Sequence, residues 1–277
     1  MEFFGSWKYE IDKLKEEWNS SKPFNHIVID NFLEENTAEK VFNIFPSNFK
    51  EWDFYCNPIE VKYACNKIEN FHPIIKKIFD ALGEKKIIDK IIELTGIQNL
   101  EKDDFLHGSG LHSHTKDGRL MLHLDYEKHP IYENKQRRIN IILYLSKNWK
   151  DEWEGATELW NKDLSRCEKS VHVKFNRALV FKTNEESWHG FPKKIKCPEN
   201  VFRNSLAYYY ISPLESLEDK KKVGAGEDGY RKKATFSLTR DEEKDERIKK
   251  FLDIRPYRRI TSTDIENIWK DWNPENY

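Results

Sequence analysis

The sequence has no long apolar run. No stretch approaches the roughly 18 residues that a membrane-spanning helix requires, so no membrane association is expected. It also lacks an excess of charge of either sign. Lys and Arg number 47 against 48 Asp and Glu, a net of −1. That balance gives no sign of a nucleic-acid partner or an anionic-membrane surface. Cysteine is sparse: Cys56, Cys65, Cys167 and Cys197 form no CxxC pair and follow no regular spacing. They read as ordinary reduced thiols rather than metal ligands or redox pairs. The opening MEFFGSWKYEIDKLKEEW is charged and amphipathic and has no apolar h-region, so a secretory leader is not expected and a cytoplasmic location is. Hydrophobic residues make up only 38% of the 277, but 14% are aromatic, with nine Trp and seventeen Phe. Large rings bury much area each, so a core is attainable.

There is no internal repeat and no low-complexity tract. Residues 1–103 read mostly as helices that support the rest. Ile11, Leu14 and Trp18 recur at helical spacing, Asn36 with Glu39 resembles a capping signal, and FNHIVIDNF resembles a strand. HPIIKKIFDALGEKKIIDKIIELTG predicts two helices broken at Gly83. Between 104 and 213 the character changes. RLMLHLDY, RRINIILYLS, GATELWN, VHVKF, ALVFKTN and NSLAYYYIS are short, β-branched or aromatic, and separated by polar turns. Several short strands at close spacing predict one β sandwich or barrel. From 214 to 277 the chain is highly charged. Thr239 with Glu242, and Thr263 with Glu266, read as capping boxes for two more helices, and 224–229 (GAGEDG) reads as a loop or hinge. With few aliphatic residues, this extension is expected to pack on the β core, with Phe251, Tyr257, Trp269 and Trp272 as anchors.

The chemistry-bearing residues cluster in the middle segment. His123 and Asp125 flank Leu124 at the end of an apolar strand, and alternate strand residues share a face. An imidazole and a carboxylate side by side are two ligands of a 2-His-1-carboxylate facial triad; a solvated His–Asp pair is the other reading. His189, in NEESWHGFP just after ALVFKTN, can supply a third ligand if strands distant in sequence lie together. Arg203 and Ser205 share a strand face in VFRNSLAYYYIS. A guanidinium fork with a hydroxyl suits a carboxylate ligand, and an internal salt bridge is the alternative for Arg203 alone.

Taken together, HxD, a later His and RxS resemble the Fe(II)/2-oxoglutarate oxygenases, specifically their prolyl 4-hydroxylase-like branch. GSGLHSHTKDGRLMLHLDY, RRINIILYLSKNW, EGATELW, FNRALVFKTNEESWHGFP and RNSLAYYY follow in the family's order over about residues 104–213. The resemblance implies an α+β fold: a double-stranded β-helix, or jelly roll, with N- and C-terminal helices packed on it. It implies that His123, Asp125 and His189 hold Fe(II), and that Arg203 and Ser205 hold the distal carboxylate of 2-oxoglutarate. It also implies that Tyr144 assists at that carboxylate, where a buried aromatic is the alternative. The reaction implied is a dioxygenase hydroxylation consuming O₂ and 2-oxoglutarate, with release of succinate and CO₂. Gly155-Ala156 departs from the family's usual glycine pair, which puts the local turn in question. His112 and His114 are expected in a loop or edge, either lining the substrate mouth or solvated. A cupin-like metal protein without 2-oxoglutarate is the competing reading, and Arg203-x-Ser205 counts against it. The substrate, a peptidyl side chain or a small molecule, lies in loops without a readable code.

Overall fold

The computed structural model describes residues 2–215, 229–238 and 245–275. Helix α1 (Ile11–Ser20) buries Ile11, Leu14 and Trp18, the stripe that the spacing predicts. After strand β1 (His26–Ile29) comes α2 (Glu35–Ile44). Its cap is Glu34, whose carboxylate accepts from the Thr37 amide, so the expected Asn36 signal lies two positions past the cap. Strands β2 (Asp53–Asn57) and β3 (Glu60–Cys65) form a hairpin. Helices α3 (Pro73–Leu82) and α4 (Lys85–Thr95) are separated at Gly83 as expected.

The remaining strands are β4 (Glu101–Lys102), β5 (Gly110–His114), β6 (Arg119–Leu124), β7 (Lys135–Tyr144), β8 (Thr157–Trp160), β9 (Cys167–Val171), β10 (Arg177–Lys182), β11 (His189–Phe191), β12 (Arg203–Pro213) and β13 (Thr235–Phe236). Strand β9 precedes the expected VHVKF and shares only its first residue. All pairings are antiparallel, in the order β1-β10-β7-β12-β5-β3-β6-β11-β8-β9, with β13 on β6, β2 on β3 and β4 on β12. The many crossovers make a near-barrel, the double-stranded β-helix that the sequence implies. Strands from outside 104–213 are part of it: β1 extends one end, β3 joins β5 to β6, and β13 adds to β6.

Alternation along β7 and β12 sorts their side chains onto two faces. Ile139, Ile141, Leu143, Leu206, Tyr208 and Tyr210 pack with Ile75, Ile78, Phe79, Ile87 and Ile91 of α3 and α4 in the main core. The opposite face, with Asn140, Ile142, Arg203, Ser205, Ala207 and Tyr209, lines a cavity of about 220 Å³.

Helix α5 (Glu246–Ile254) packs on the barrel through Phe251 and Ile248, which join Ile59, Met121 and Phe236 in a separate cluster, and α6 (Ser262–Trp269) lays Ile265, Ile268 and Trp269 against it. Asp245 caps α5, and the expected Thr239–Glu242 box and most of the 224–229 hinge lie outside the described residues. The capping box of α6 is Thr261 with Asp264, two residues before the expected Thr263 pair. Tyr257 is no anchor, being 81% exposed, whereas Phe251 is fully buried. Among the described residues no helix is long and apolar enough to cross a membrane.

Because Phe251 is fully enclosed, Phe251→Ala should cost about 3–5 kcal/mol of stability in denaturant unfolding. A cost below about 1 kcal/mol would mean that α5 is not integrated with the barrel.

Candidate active site

Strand register brings the histidines together. His189 of β11 lies directly across from His123 of β6, and their ring centroids are 4.3 Å apart. Gly190 permits the crossing, since a side chain there would meet the Leu120 and Met121 carbonyls at 2.7 Å. Asp125, one position past the end of β6, turns its carboxylate to both rings: Oδ1 is 3.8 Å from His123 Nε2 and Oδ2 is 3.7 Å from His189 Nε2. All three residues are buried, and their ligand atoms lie within 4.8 Å of one another.

Each ring's other nitrogen is already engaged. Nδ1 of His123 faces the Met121 carbonyl at 2.9 Å, and Nδ1 of His189 faces the Ser187 carbonyl at 2.8 Å. As donors there, both rings leave the Nε2 lone pair free, the usual arrangement of metal-binding imidazoles. Burial, followed by the neighbouring His189, pushes His123 down to about 3, and burial lowers His189 as well. Burial alone would raise the Asp125 carboxyl, but Arg137, His189 and His123 together hold it well below the usual carboxylate range. Two neutral imidazoles and one carboxylate are the donor set of a divalent first-row metal, and the residues present fit iron.

Sequence reading missed Arg137. Its Nη1 lies 2.7 Å from Asp125 Oδ1, a close charge contact at an angle poor for hydrogen bonding. Its guanidinium is stacked between Tyr126, at 3.8 Å, and Tyr209, at 3.5 Å. Strict alternation from Asn140 would put Arg138 on the cavity face and Arg137 in the core. The β7–β12 register instead slips by one residue between Tyr210↔Ile139 and Ile211↔Arg137. The extra residue, Arg138, turns outward to Glu215, and Arg137 swings into the site. Asn140 Nδ2 donates to the other Asp125 oxygen at 3.3 Å.

The segment before and through β13 covers this centre. Phe236 stacks on the His123 ring at 5.0 Å, Ser237 N donates to the Leu122 carbonyl, and Arg231 Nε donates to the Asp125 carbonyl at 3.2 Å.

Beside the triad lies a second polar group. Arg203 is 2% exposed, and no carboxylate pairs with it among the described residues. Its Nε donates to the Gly155 carbonyl at 2.7 Å and its Nη2 to Thr157 Oγ1 at 3.1 Å. Gly155 sits at φ +82°, so the Gly155-Ala156 turn keeps its glycine where positive φ is needed and aims a carbonyl at Arg203. Ser205 lies on the same face and lines the cavity. Tyr144, fully buried, does not line it; its hydroxyl donates to Thr157 Oγ1 at 2.7 Å and so reaches Arg203 at one remove.

His112 and His114 are in neither a loop nor open solvent. They lie in β5, in register with Ser205 and Arg203 respectively, and both line the cavity. His114 is 2% exposed, and neither ring nitrogen has a hydrogen-bond partner. Burial, then Arg203, keep its imidazole well below its ordinary pKa.

Residues 109–211 match the sequence pattern of the 2OG-Fe(II) oxygenase superfamily. They form a 2OG-Fe(II) oxygenase superfamily domain. The buried cluster of His123, Asp125 and His189 lies within this matched segment. No curated protein matches the sequence. Among solved structures, the chain is similar to a Trichoplax adhaerens prolyl hydroxylase in complex with a hypoxia-inducible-factor peptide. The TM-score is 0.49 and the identity 16%, over 75% of this chain and 94% of that one. It is also similar to a Pseudomonas putida prolyl-4-hydroxylase (TM-score 0.47, 12% identity, 71% and 97% covered). A third likeness is to HygX of Streptomyces hygroscopicus bound to nickel, 2-oxoglutarate and hygromycin B (0.45, 14%, 70% and 85%). The oxygenase domain covers less than half of the chain, and Phe236 and Arg231 reach the triad from outside it.

Removing Arg137 leaves a buried carboxylate without its cation. Arg137→Met should therefore destabilise the metal-free protein by about 3–5 kcal/mol in denaturant unfolding. A change under about 1 kcal/mol would show that the pair contributes little to the fold.

Proposed function

We propose that His123, Asp125 and His189 hold the iron of this oxygenase, and that Arg203, Ser205 and His114 hold the distal carboxylate of 2-oxoglutarate. The observation that carries the cosubstrate pocket is Arg203, a buried cation with no carboxylate beside it among the described residues. Such a charge is costly unless a ligand supplies the partner. His114, with two unsatisfied ring nitrogens next to it, adds a donor to the same place. A cupin-like metal protein has no use for this combination.

When bound, iron and 2-oxoglutarate would supply the oxidative chemistry with O₂, one oxygen atom going to succinate as CO₂ leaves and the other into an unactivated C–H bond. The chain's own residues do the rest. The Met121 and Ser187 carbonyls fix the ring orientation of the two histidines. Arg137 and Asn140 hold the Asp125 carboxylate against rotation. The Gly155 carbonyl and Thr157 aim the Arg203 fork, with Phe191 and Tyr144 flanking it at 4.3 and 5.1 Å. Tyr144 acts through Thr157, as a positioning residue. Phe236 shields His123 from water. We read the substrate as a peptidyl side chain, prolyl in the nearest analogy to the motif order. Four free cysteines suit a reducing cytoplasm.

Titration of the Mn(II)-loaded chain with 2-oxoglutarate tests the pocket. Losing one partner of a buried charged pair costs about 2–5 kcal/mol, so Arg203→Ala should weaken 2-oxoglutarate binding roughly 30- to 3000-fold. Metal affinity should change far less. Unchanged 2-oxoglutarate affinity in the folded variant would favour the cupin-like reading.

A second arm tests His114. His114→Phe keeps the ring in edge contact with Phe191 but deletes the donors. A hydrogen bond to a charged group contributes about 1.5–3 kcal/mol, so the variant should bind 2-oxoglutarate about 10- to 100-fold more weakly. Its affinity for 2-oxobutyrate, which lacks the distal carboxylate, should stay near wild type. Equal losses for both 2-oxoacids would assign His114 a purely structural role.

A further inference from the structure

We propose that Asn140 is a specificity-determining residue, whose carboxamide oxygen accepts a hydrogen bond from a peptide N–H of the substrate. The proposal rests on the oxygenase reading above and states which group of a peptidyl substrate docks beside the triad.

Asn140 is 2% exposed and lines the cavity. The carboxylate oxygens of Asp125 only accept, so the Asn140 nitrogen must face them, as its 3.3 Å bond to Oδ2 shows. That fixes the orientation of the carboxamide and turns its oxygen, Oδ1, away from Asp125. Oδ1 is buried and receives no hydrogen bond. Such an acceptor is costly to leave unpaired.

The neighbouring side chains do not satisfy it. Register places Asn140 between Tyr209 of β12 and Phe181 of β10. The Tyr209 hydroxyl donates to the Gly108 carbonyl at 2.6 Å, and the Tyr126 hydroxyl to the His107 carbonyl at 3.0 Å. The Phe181 side chain is apolar, and its ring lies 4.6 Å from that of His189. The cosubstrate cannot satisfy Oδ1 either. Ionised 2-oxoglutarate carries two carboxylates and a ketone, all acceptors, and has no N–H or O–H. Its proposed clamp is also remote: Arg203 lies six residues from Tyr209 on β12, roughly 20 Å along the strand. Solvent can pair with Oδ1 in the open site, but a group that displaces it must bring its own donor.

The kind of donor follows from Arg137. Its Nε is buried without an acceptor. Arg137 lies against Asp125 Oδ1 and Asn140 bonds Oδ2, so the two side chains flank one carboxylate. Together they present a donor and an acceptor on separate atoms. A peptide group presents the complement, a C=O and an N–H. A substrate carboxylate would set oxygen against Asn140 Oδ1, and an ammonium would face the Arg137 guanidinium. Ser109 favours a peptide over an isolated carboxamide. Its hydroxyl is buried, lines the cavity and has no partner, and it adjoins the Gly108 carbonyl that takes Tyr209. A second polar group at this end suits the next peptide unit. Proline has no N–H, so on a prolyl substrate the donor is the amide of the following residue.

The test uses the full chain saturated with Mn(II) and 2-oxoglutarate, and reads weak binding from paramagnetic relaxation of probe protons. The probes are N-acetylproline methylamide, which has one N–H, and N-acetylproline dimethylamide, which has none. With a buried and otherwise unpaired acceptor, the methylamide should bind at least about fivefold more tightly. Asn140→Leu keeps the bulk of the side chain and removes the acceptor, so the two affinities should then agree within about twofold. The ratio is taken within each loaded protein, so a change in metal affinity cancels. Equal affinities in the wild-type chain would overturn the proposal without recourse to the variant. A preference that survives in Asn140→Leu would also overturn it, because steric exclusion of the extra methyl would then explain the difference. Failure of the wild-type chain to bind Mn(II) and 2-oxoglutarate would instead overturn the oxygenase reading beneath it.

Discussion

A carboxylate buried beside two neutral imidazoles constrains the rest of the structure. Asp125 cannot remain charged inside a barrel without compensation, and the fold supplies it from several directions. Arg137 lies against one oxygen, Asn140 donates to the other, and Arg231 donates to the residue's main-chain carbonyl. Each belongs to a different local context: a bulge in β7, the regular part of the same strand, and the segment leading into β13. The buried triad is thus the point on which a strand bulge, a regular strand and a covering segment converge.

The barrel's two faces divide the work. One face of β7 and β12 packs on α3 and α4 and supplies stability. The other lines the cavity into which the triad opens. The N-terminal hairpin and the C-terminal segments then build the opening. Strand β3 is inserted between β5 and β6, and β13 is laid along β6, so the parts that fix the mouth are hydrogen-bonded to the strand that carries His123. The triad and the rim of its cavity therefore come from different stretches of chain held by one sheet.

Much of this was legible in the sequence because it depends on local periodicity. The spacing of Ile11, Leu14 and Trp18, the break at Gly83, and the shared faces of His123 with Asp125 and Arg203 with Ser205 all follow from helix and strand repeats. What escaped depends on register and long-range pairing. A one-residue slip exchanges the faces of Arg137 and Arg138, and nothing in RRINIILY marks it. HSH in β5 has no apolar alternation to announce a strand, because its inward side chains are part of the cavity's polar wall. Strand β13 is two residues long, too short for any pattern. The capping residues of α2 and α6 were each displaced by two positions, the usual uncertainty at helix ends.

The most direct measurement is the anaerobic difference spectrum on adding 2-oxoglutarate to the Fe(II)-loaded chain. A cosubstrate chelating iron held by His123, Asp125 and His189 should give a weak visible metal-to-ligand charge-transfer band. Asp125→Ala should abolish it, because one face of the coordination sphere loses its charged ligand. A folded wild-type chain that binds no divalent first-row metal, or an Asp125→Ala variant that keeps the band at full strength, would contradict the central claim.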